Sequence, residues 1–160
     1  MVIWGFSGSQ SGMTPFQHDE FIKLLNEFNP DEFHYGDCIG ADAIAAREFI
    51  AFHLKLEDKM RKLVCHPPTD NYKRAYVIEN MKSVVKDALC NCKYKLVIES
   101  REPFKYLERN RHIAETCHTL IATPKEFEHT MRSGTWATIR YGWHQKKDVI
   151  VIPPLVRDTI

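Results

Sequence analysis

The sequence carries almost no excess charge. Its 22 lysines and arginines stand against 21 aspartates and glutamates, for a net charge of +1. Binding of nucleic acid by bulk attraction to phosphate therefore has no general support, and only a local patch such as Arg109, Arg111, Arg132 and Arg140 remains for it. Long hydrophobic runs are missing as well: no apolar stretch approaches the roughly 20 residues that span a bilayer. The first apolar run has no basic segment before it, so a signal peptide is not expected. Cysteines are few, odd in number and irregularly spaced, at 38, 65, 90, 92 and 117. That pattern excludes a disulfide framework and points to reduced thiols in a cytoplasmic setting. Cys90-x-Cys92 is too tight for a zinc knuckle and has no second Cys/His pair, so neither a metal nor a cofactor is expected. The GxGxxG fingerprint of dinucleotide-binding folds is absent, as are repeats and low-complexity tracts.

What is present reads as alternating strands and helices in a single domain over 1–160. A chain of this length buries roughly 70% of its unfolded surface, so it needs no staple. Val2 to Phe6 reads as a buried first strand, followed by the small polar loop Ser7-Gly8-Ser9-Gln10-Ser11-Gly12. Thr14-Pro15 then opens a helix, with Phe21, Leu24, Leu25 and Phe28 at helical spacing on its core face. Glu32 to Tyr35 is a second strand, and it runs into Gly36-Asp37-Cys38-Ile39-Gly40-Ala41-Asp42. Two glycines and two carboxylates in one turn suit close approach of a ligand, with Asp37 or Asp42 for ribose hydroxyls or a cation. Asp42 also suits the positive end of the following helix. Lys62 to Cys65 is a third strand, and it leaves His66 before Pro67-Pro68 at the carboxyl end, where open α/β sheets bind ligands. A lone histidine there serves either a ligand or the fold.

The stretch from Asn71 to Tyr94 carries a weak helical face in Tyr76, Met81, Val84, Val85 and Leu89, and Lys95 to Glu99 reads as a short extra strand. Residues 70–105 are expected as a lid or an elaboration on the core. Tyr106 to Ala114 reads as a helix with Leu107, Ile113 and Ala114 toward the core. On it Glu108, Arg109, Asn110 and Arg111 are consecutive, and consecutive helical residues point about 100° apart. No single ligand meets all four. Thr119 to Thr123, Gly134 to Trp143 and Val149 to Ile152 form a strand–helix–strand unit with Arg132-Ser133-Gly134-Thr135-Trp136 at its turn. Such a turn aims backbone N–H groups and the positive end of a helix dipole at an anion, and it is equally an ordinary capped helix start.

Four stretches together resemble the Rossmann-like SLOG superfamily, which joins DNA-processing protein A (Smf) with LOG-type nucleoside-monophosphate phosphoribohydrolases. They are Gly5 to Gln10, Gly36 to Ala46, Arg109-Asn110-Arg111-His112-Ile113-Ala114 and Ser133-Gly134-Thr135. The second has Ala46 where the family usually has histidine. The resemblance implies a three-layer α/β/α fold with a mostly parallel sheet and a nucleotide site over the strand ends. The loops it points to hold Ser7, Gly8, Ser9, Gln10, Gly36, Asp37, Gly40, Asp42, Ser133, Gly134 and Thr135; His66, Arg109, Asn110 and Arg111 join them as candidates, with Arg109 or Arg111 to neutralise charge and Trp136 or Tyr106 to stack on a base.

One departure bears on chemistry. LOG-type enzymes carry Pro-Gly-Gly-x-Gly-Thr-x-x-Glu. Here Pro-Gly-Gly is absent and Thr138 stands at the glutamate position. A threonine supplies no carboxylate. An N-glycosidase would need Asp42 or Glu108 instead, so the expectation leans toward binding. The superfamily also includes members that pair through helices flanking the late loop. Trp136, Tyr141 and Trp143 are candidates for such an interface or for the core.

Overall fold

Six parallel strands appear in the order β4-β3-β2-β1-β5-β6 in this computed structural model, which describes residues 1–156. They are β1 (Ile3–Gly8), β2 (Glu32–Tyr35), β3 (Arg61–Cys65), β4 (Leu96–Ser100), β5 (Thr119–Thr123) and β6 (Asp148–Val151). The helices are α1 (Pro15–Phe28), α2 (Ala41–Leu56), α3 (Val77–Asn91), α4 (Tyr106–Thr116) and α5 (Gly134–His144). The sheet is wholly parallel among the described strands, where a mostly parallel one was expected.

Alternation along the strands sends side chains to two faces, and each face is covered by helices. On one face Trp4, Phe6, Phe33, Tyr35, Leu63 and Leu96 pack against α1, α2 and the start of α3. Phe33 stacks on Phe49 of α2 at 5.0 Å, and Phe21 of α1 meets Phe6 edge-on at 5.6 Å. On the other face Ile113 of α4 and its C-cap Cys117 are buried against Leu120, and α5 buries Trp136 and Ile139 against Ala122. These are the three layers of a Rossmann-like α/β/α fold.

Helix α1 begins as its sequence dictates. Thr14 is the N-cap and Pro15 the first residue, and Gln17 completes a capping box. Phe21 and Leu25 are fully buried, whereas Phe28 is 43% exposed at the helix end, tilted on Trp4. Gln17 is also buried, its Nε2 donating to the carbonyls of Pro124 (2.7 Å) and Ile152 (3.0 Å). It thereby ties α1 to the exits of β5 and β6.

The 70–105 stretch is built into the sheet. It holds a 3₁₀ turn at Asn71–Lys73, then α3, then β4, which pairs with β3 from Arg61↔Leu96 to Cys65↔Ser100. Of the apolar face predicted for α3, Met81 and Leu89 are partly buried against the core, while the fully buried residues are Val77 and Ile78 in its first turn. The helix loses regular geometry at Val85 (φ −118°, ψ 21°), and Val84 is 80% exposed. Leu107, expected to face the core from α4, is 58% exposed, while Ile113 and Ala114 are buried as expected. All five cysteines are free thiols, and no described helix is long and apolar enough to cross a membrane.

Strand order places a crevice. From β1 to β4 each strand is laid beside the last with its helix on one face. After β4 the chain returns over the opposite face through α4 and enters β5 on the other side of β1. The exits of β1 and β5 therefore diverge to opposite faces, and their carboxyl ends flank the switch point at which open α/β sheets bind ligands.

Candidate functional site

A cleft of about 1090 Å³ lies over that switch point. Gly8 to Ser11 reach it from β1, and Lys125, Glu126, Thr130 and Arg132 to Thr135 reach it from the β5–α5 connection. Lys105, Tyr106 and Leu107 line it from the start of α4, and Pro68 to Asp70 with Lys73 from the β3–α3 connection. Four cations, Lys73, Lys105, Lys125 and Arg132, stand against two carboxylates, Asp70 and Glu126.

Of the residues expected at a ligand, Gly8, Ser9, Gln10, Ser133, Gly134 and Thr135 line this cleft. Ser133 is the N-cap of α5, its Oγ accepting from the backbone N–H of Trp136 at 3.2 Å. The turn is thus both a capped helix start and a wall of the cleft. Tyr106 ties three elements together there. Its hydroxyl accepts from Gln10 Nε2 (3.0 Å), its ring lies 4.6 Å from the Arg109 guanidinium, and a Cβ at Gly134 would sit 3.2 Å from its Cε1. Gly134 gives this ring its room.

Others serve the fold. Ser7 is buried within β1. Asp37 was expected to take ribose hydroxyls, but its carboxylate is spent internally: Oδ2 accepts from Arg74 Nε (2.9 Å) and Oδ1 from the backbone N–H of Val77 (3.0 Å), the first residue of α3. Asp37→Ala is therefore expected to cost about 3 kcal/mol, since a buried N–H and a guanidinium lose their partner. Urea denaturation checks this; a loss below about 1 kcal/mol would show that the pairing contributes little.

Asp42 and Arg109 are buried on either side of Gly36, behind the cleft. A Cβ at Gly36 would lie 2.7 Å from both Asp42 Oδ2 and Arg109 Cζ. Arg109 donates from Nη1 to the Gly36 carbonyl (2.6 Å) and to Cys38 Sγ (3.2 Å), and from Nε and Nη2 to Asn110 Oδ1 (3.0 and 2.8 Å). Burial pushes the Asp42 carboxyl up to about 6, against the opposing pull of Arg109. Neither Asp42 nor Arg109 lines the cleft.

His66 is likewise buried. Its Nε2 lies 2.8 Å from Nδ1 of His34, and burial together with His34 and nearby cations lowers it to about 3, so the ring stays neutral. Gly40 packs behind the β1 loop, where a Cβ would lie 2.3 Å from the Gln10 carbonyl oxygen. Glu108 is exposed and does not line the cleft, and Arg111 turns outward over the Tyr141 ring at 5.5 Å. The angular spread of α4 has sorted its four consecutive polar residues, two inward and two outward. Asn110 and Arg111 border a separate groove of about 390 Å³ between α4 and α5, which Thr138 also lines. Trp136 is 6% exposed and packed between His129 and Trp143, so it is not free to stack on a base.

Lys73, Lys105, Lys125, Glu126 and Asp70 escaped the sequence reading. Each sits on a connection with no motif of its own, and only the strand order brings those connections together. Among the described residues no group of three or more metal-ligating side chains forms.

The sequence matches no family model and no curated protein. In three dimensions the chain is similar to DNA processing protein A (DprA) from Streptococcus pneumoniae, with a TM-score of 0.64 and 19% identity, over 99% of this chain and 52% of that one. It is also similar to TM1055, with a TM-score of 0.58 and 13% identity, over 93% of this chain and 72% of that one. The chain thus spans about half the length of the DNA processing protein A chain. At these identities the likeness is one of fold, and that fold is the Rossmann-like one implied by the resemblance to the SLOG superfamily.

Proposed function

We propose that the chain binds a nucleotide or nucleotide-derived ligand in the cleft over the carboxyl ends of β1 and β5. The observation that carries this reading is the meeting of the Gly8–Ser11 loop and the Ser133–Thr135 turn at one switch point, ringed by Lys73, Lys105, Lys125 and Arg132. In this reading the N-terminus of α5 and the surrounding cations hold phosphate. Tyr106, steadied by Gln10 and Arg109, offers a ring for a base. A cleft of about 1090 Å³ is large enough for a nucleotide or a dinucleotide.

The test is calorimetry with a nucleotide panel on the wild type and on Gly134→Trp. A bulky side chain at 134 displaces the Tyr106 ring, so affinity is expected to fall at least about tenfold, with a modest drop in Tm and the fold retained. Unchanged affinity in the variant would remove this cleft as the site.

An N-glycosidase reading is weaker. Asp42 is buried behind the cleft, Glu108 lies outside it, and Thr138 donates from its hydroxyl to the Gly134 carbonyl at 3.0 Å. Mass spectrometry of the incubated panel distinguishes the two: a retained nucleotide supports binding, and a freed base supports hydrolysis. Single-stranded DNA is the third ligand class, raised by the resemblance to DNA-processing protein A. At net +1 it would rest on a local patch, and of the patch Arg109, Arg111, Arg132 and Arg140 only Arg132 lines the cleft.

A further inference from the structure

We infer that Glu126 is the residue that reads the sugar, accepting hydrogen bonds from the ribose hydroxyls and so selecting ribonucleotides over deoxyribonucleotides; this rests on the nucleotide reading of the same cleft. Glu126 lines the cleft from the connection after β5, and its Oε2 is shielded from solvent with no hydrogen-bond partner. A desolvated carboxylate oxygen without a donor is costly, and such atoms persist where a ligand supplies what the protein does not.

The other acids near the site are already engaged. Asp37 is held by Arg74 and the N–H of Val77, and Asp42 is buried facing Arg109. Asp70, the second carboxylate of the cleft, accepts from the backbone N–H of Tyr72 at 3.0 Å and caps the 3₁₀ turn. Folds of this class commonly take the ribose with an acid after the second strand. Here the acid after β2 belongs to the core, and the free acceptor stands after β5. A phosphate does not suit it, since like charges repel. A vicinal diol does, because it offers two donors to one carboxylate. The surrounding cations take the phosphate of the same ligand.

The experiment measures, by calorimetry, the affinity of the wild type, Glu126→Gln and Glu126→Ala for the four ribonucleoside monophosphates and the four matching 2′-deoxy compounds. The wild type is expected to bind at least one ribonucleotide about tenfold tighter than its deoxy partner, and both variants are expected to lose that ratio. Glu126→Gln should not melt below the wild type, because Oε2 has no partner in the protein to lose. A wild type that binds ribo and deoxy compounds equally, or a variant that keeps the ratio, overturns the role of Glu126 while the nucleotide reading stands. A wild type that binds none of the eight at millimolar concentration overturns the nucleotide reading itself, and the sugar-reading role with it.

Discussion

Arg109→Met is expected to destabilise the protein by about 3–5 kcal/mol at pH 8, the range for leaving one member of a buried charge pair alone, and by clearly less at pH 4. The guanidinium is 2% exposed and faces Asp42 across Gly36. With Arg109 in place, burial already raises the Asp42 carboxyl from 3.8 to about 6. A carboxyl raised on folding contributes stability that is fully present below its unfolded value and is lost as pH rises through its folded one. In the wild type that loss falls between about pH 4 and pH 7 and is worth roughly 3 kcal/mol.

Without Arg109 the folded carboxyl is pushed higher still, so the loss deepens and extends to higher pH. At pH 4 the carboxyl is neutral in either protein, and the residual cost is that of the bonds to the Gly36 carbonyl and Asn110, about 1–2 kcal/mol. Urea denaturation at pH 4, 6 and 8 reads this directly. A loss equal at all three pH values would mean that Asp42 does not depend on Arg109. Adding Asp42→Asn to the variant should flatten its pH dependence, which makes the pair a double-mutant cycle.

Gly40→Ala is expected to cost about 4 kcal/mol, from backbone strain of about 1–3 kcal/mol plus a comparable overpacking term. Gly40 sits at φ 91°, ψ −131°, a region that L side chains avoid. Its missing Cβ would fall 2.3 Å from the Gln10 carbonyl oxygen and 2.7 Å from that of Ser9, and both are backbone atoms with little room to yield. The Ser9 carbonyl also accepts from the N–H of Ala41 (2.9 Å) and of Gly12 (3.1 Å), so a shift there disturbs the cleft loop itself. Ligand affinity should therefore fall along with stability.

Gly12→Ala is the control. Gly12 also has positive φ, at 100°, but its Cβ would meet only Ile44 Cδ1 at 3.7 Å. It should cost only about 1 kcal/mol, the conformational term alone. Equal losses at the two positions would show that conformation, and not contact between the loops, sets the cost at Gly40.

Local chemistry determined much of this protein before any tertiary contact. Thr14-Pro15 with Gln17 set the start of α1, because a cap, a fixed φ and a reciprocal amide act within four residues. Apolar runs bounded by glycine and proline placed β2 and β5 at the residues the structure shows, and the Ser133–Gly134–Thr135 turn before α5 was legible for the same reason. Tertiary structure alone decided which polar groups reach the cleft. Asp37 and Asp42 looked like ligand residues because sequence shows their chemistry and not their partners, and Arg74, Val77 and Arg109 are the partners that claim them. Lys73, Lys105 and Glu126 looked like ordinary loop residues because nothing within a few positions marks them. They come from three separate connections, and those connections meet only because the chain, after laying down β4 at one edge, returns across the sheet to place β5 beside β1.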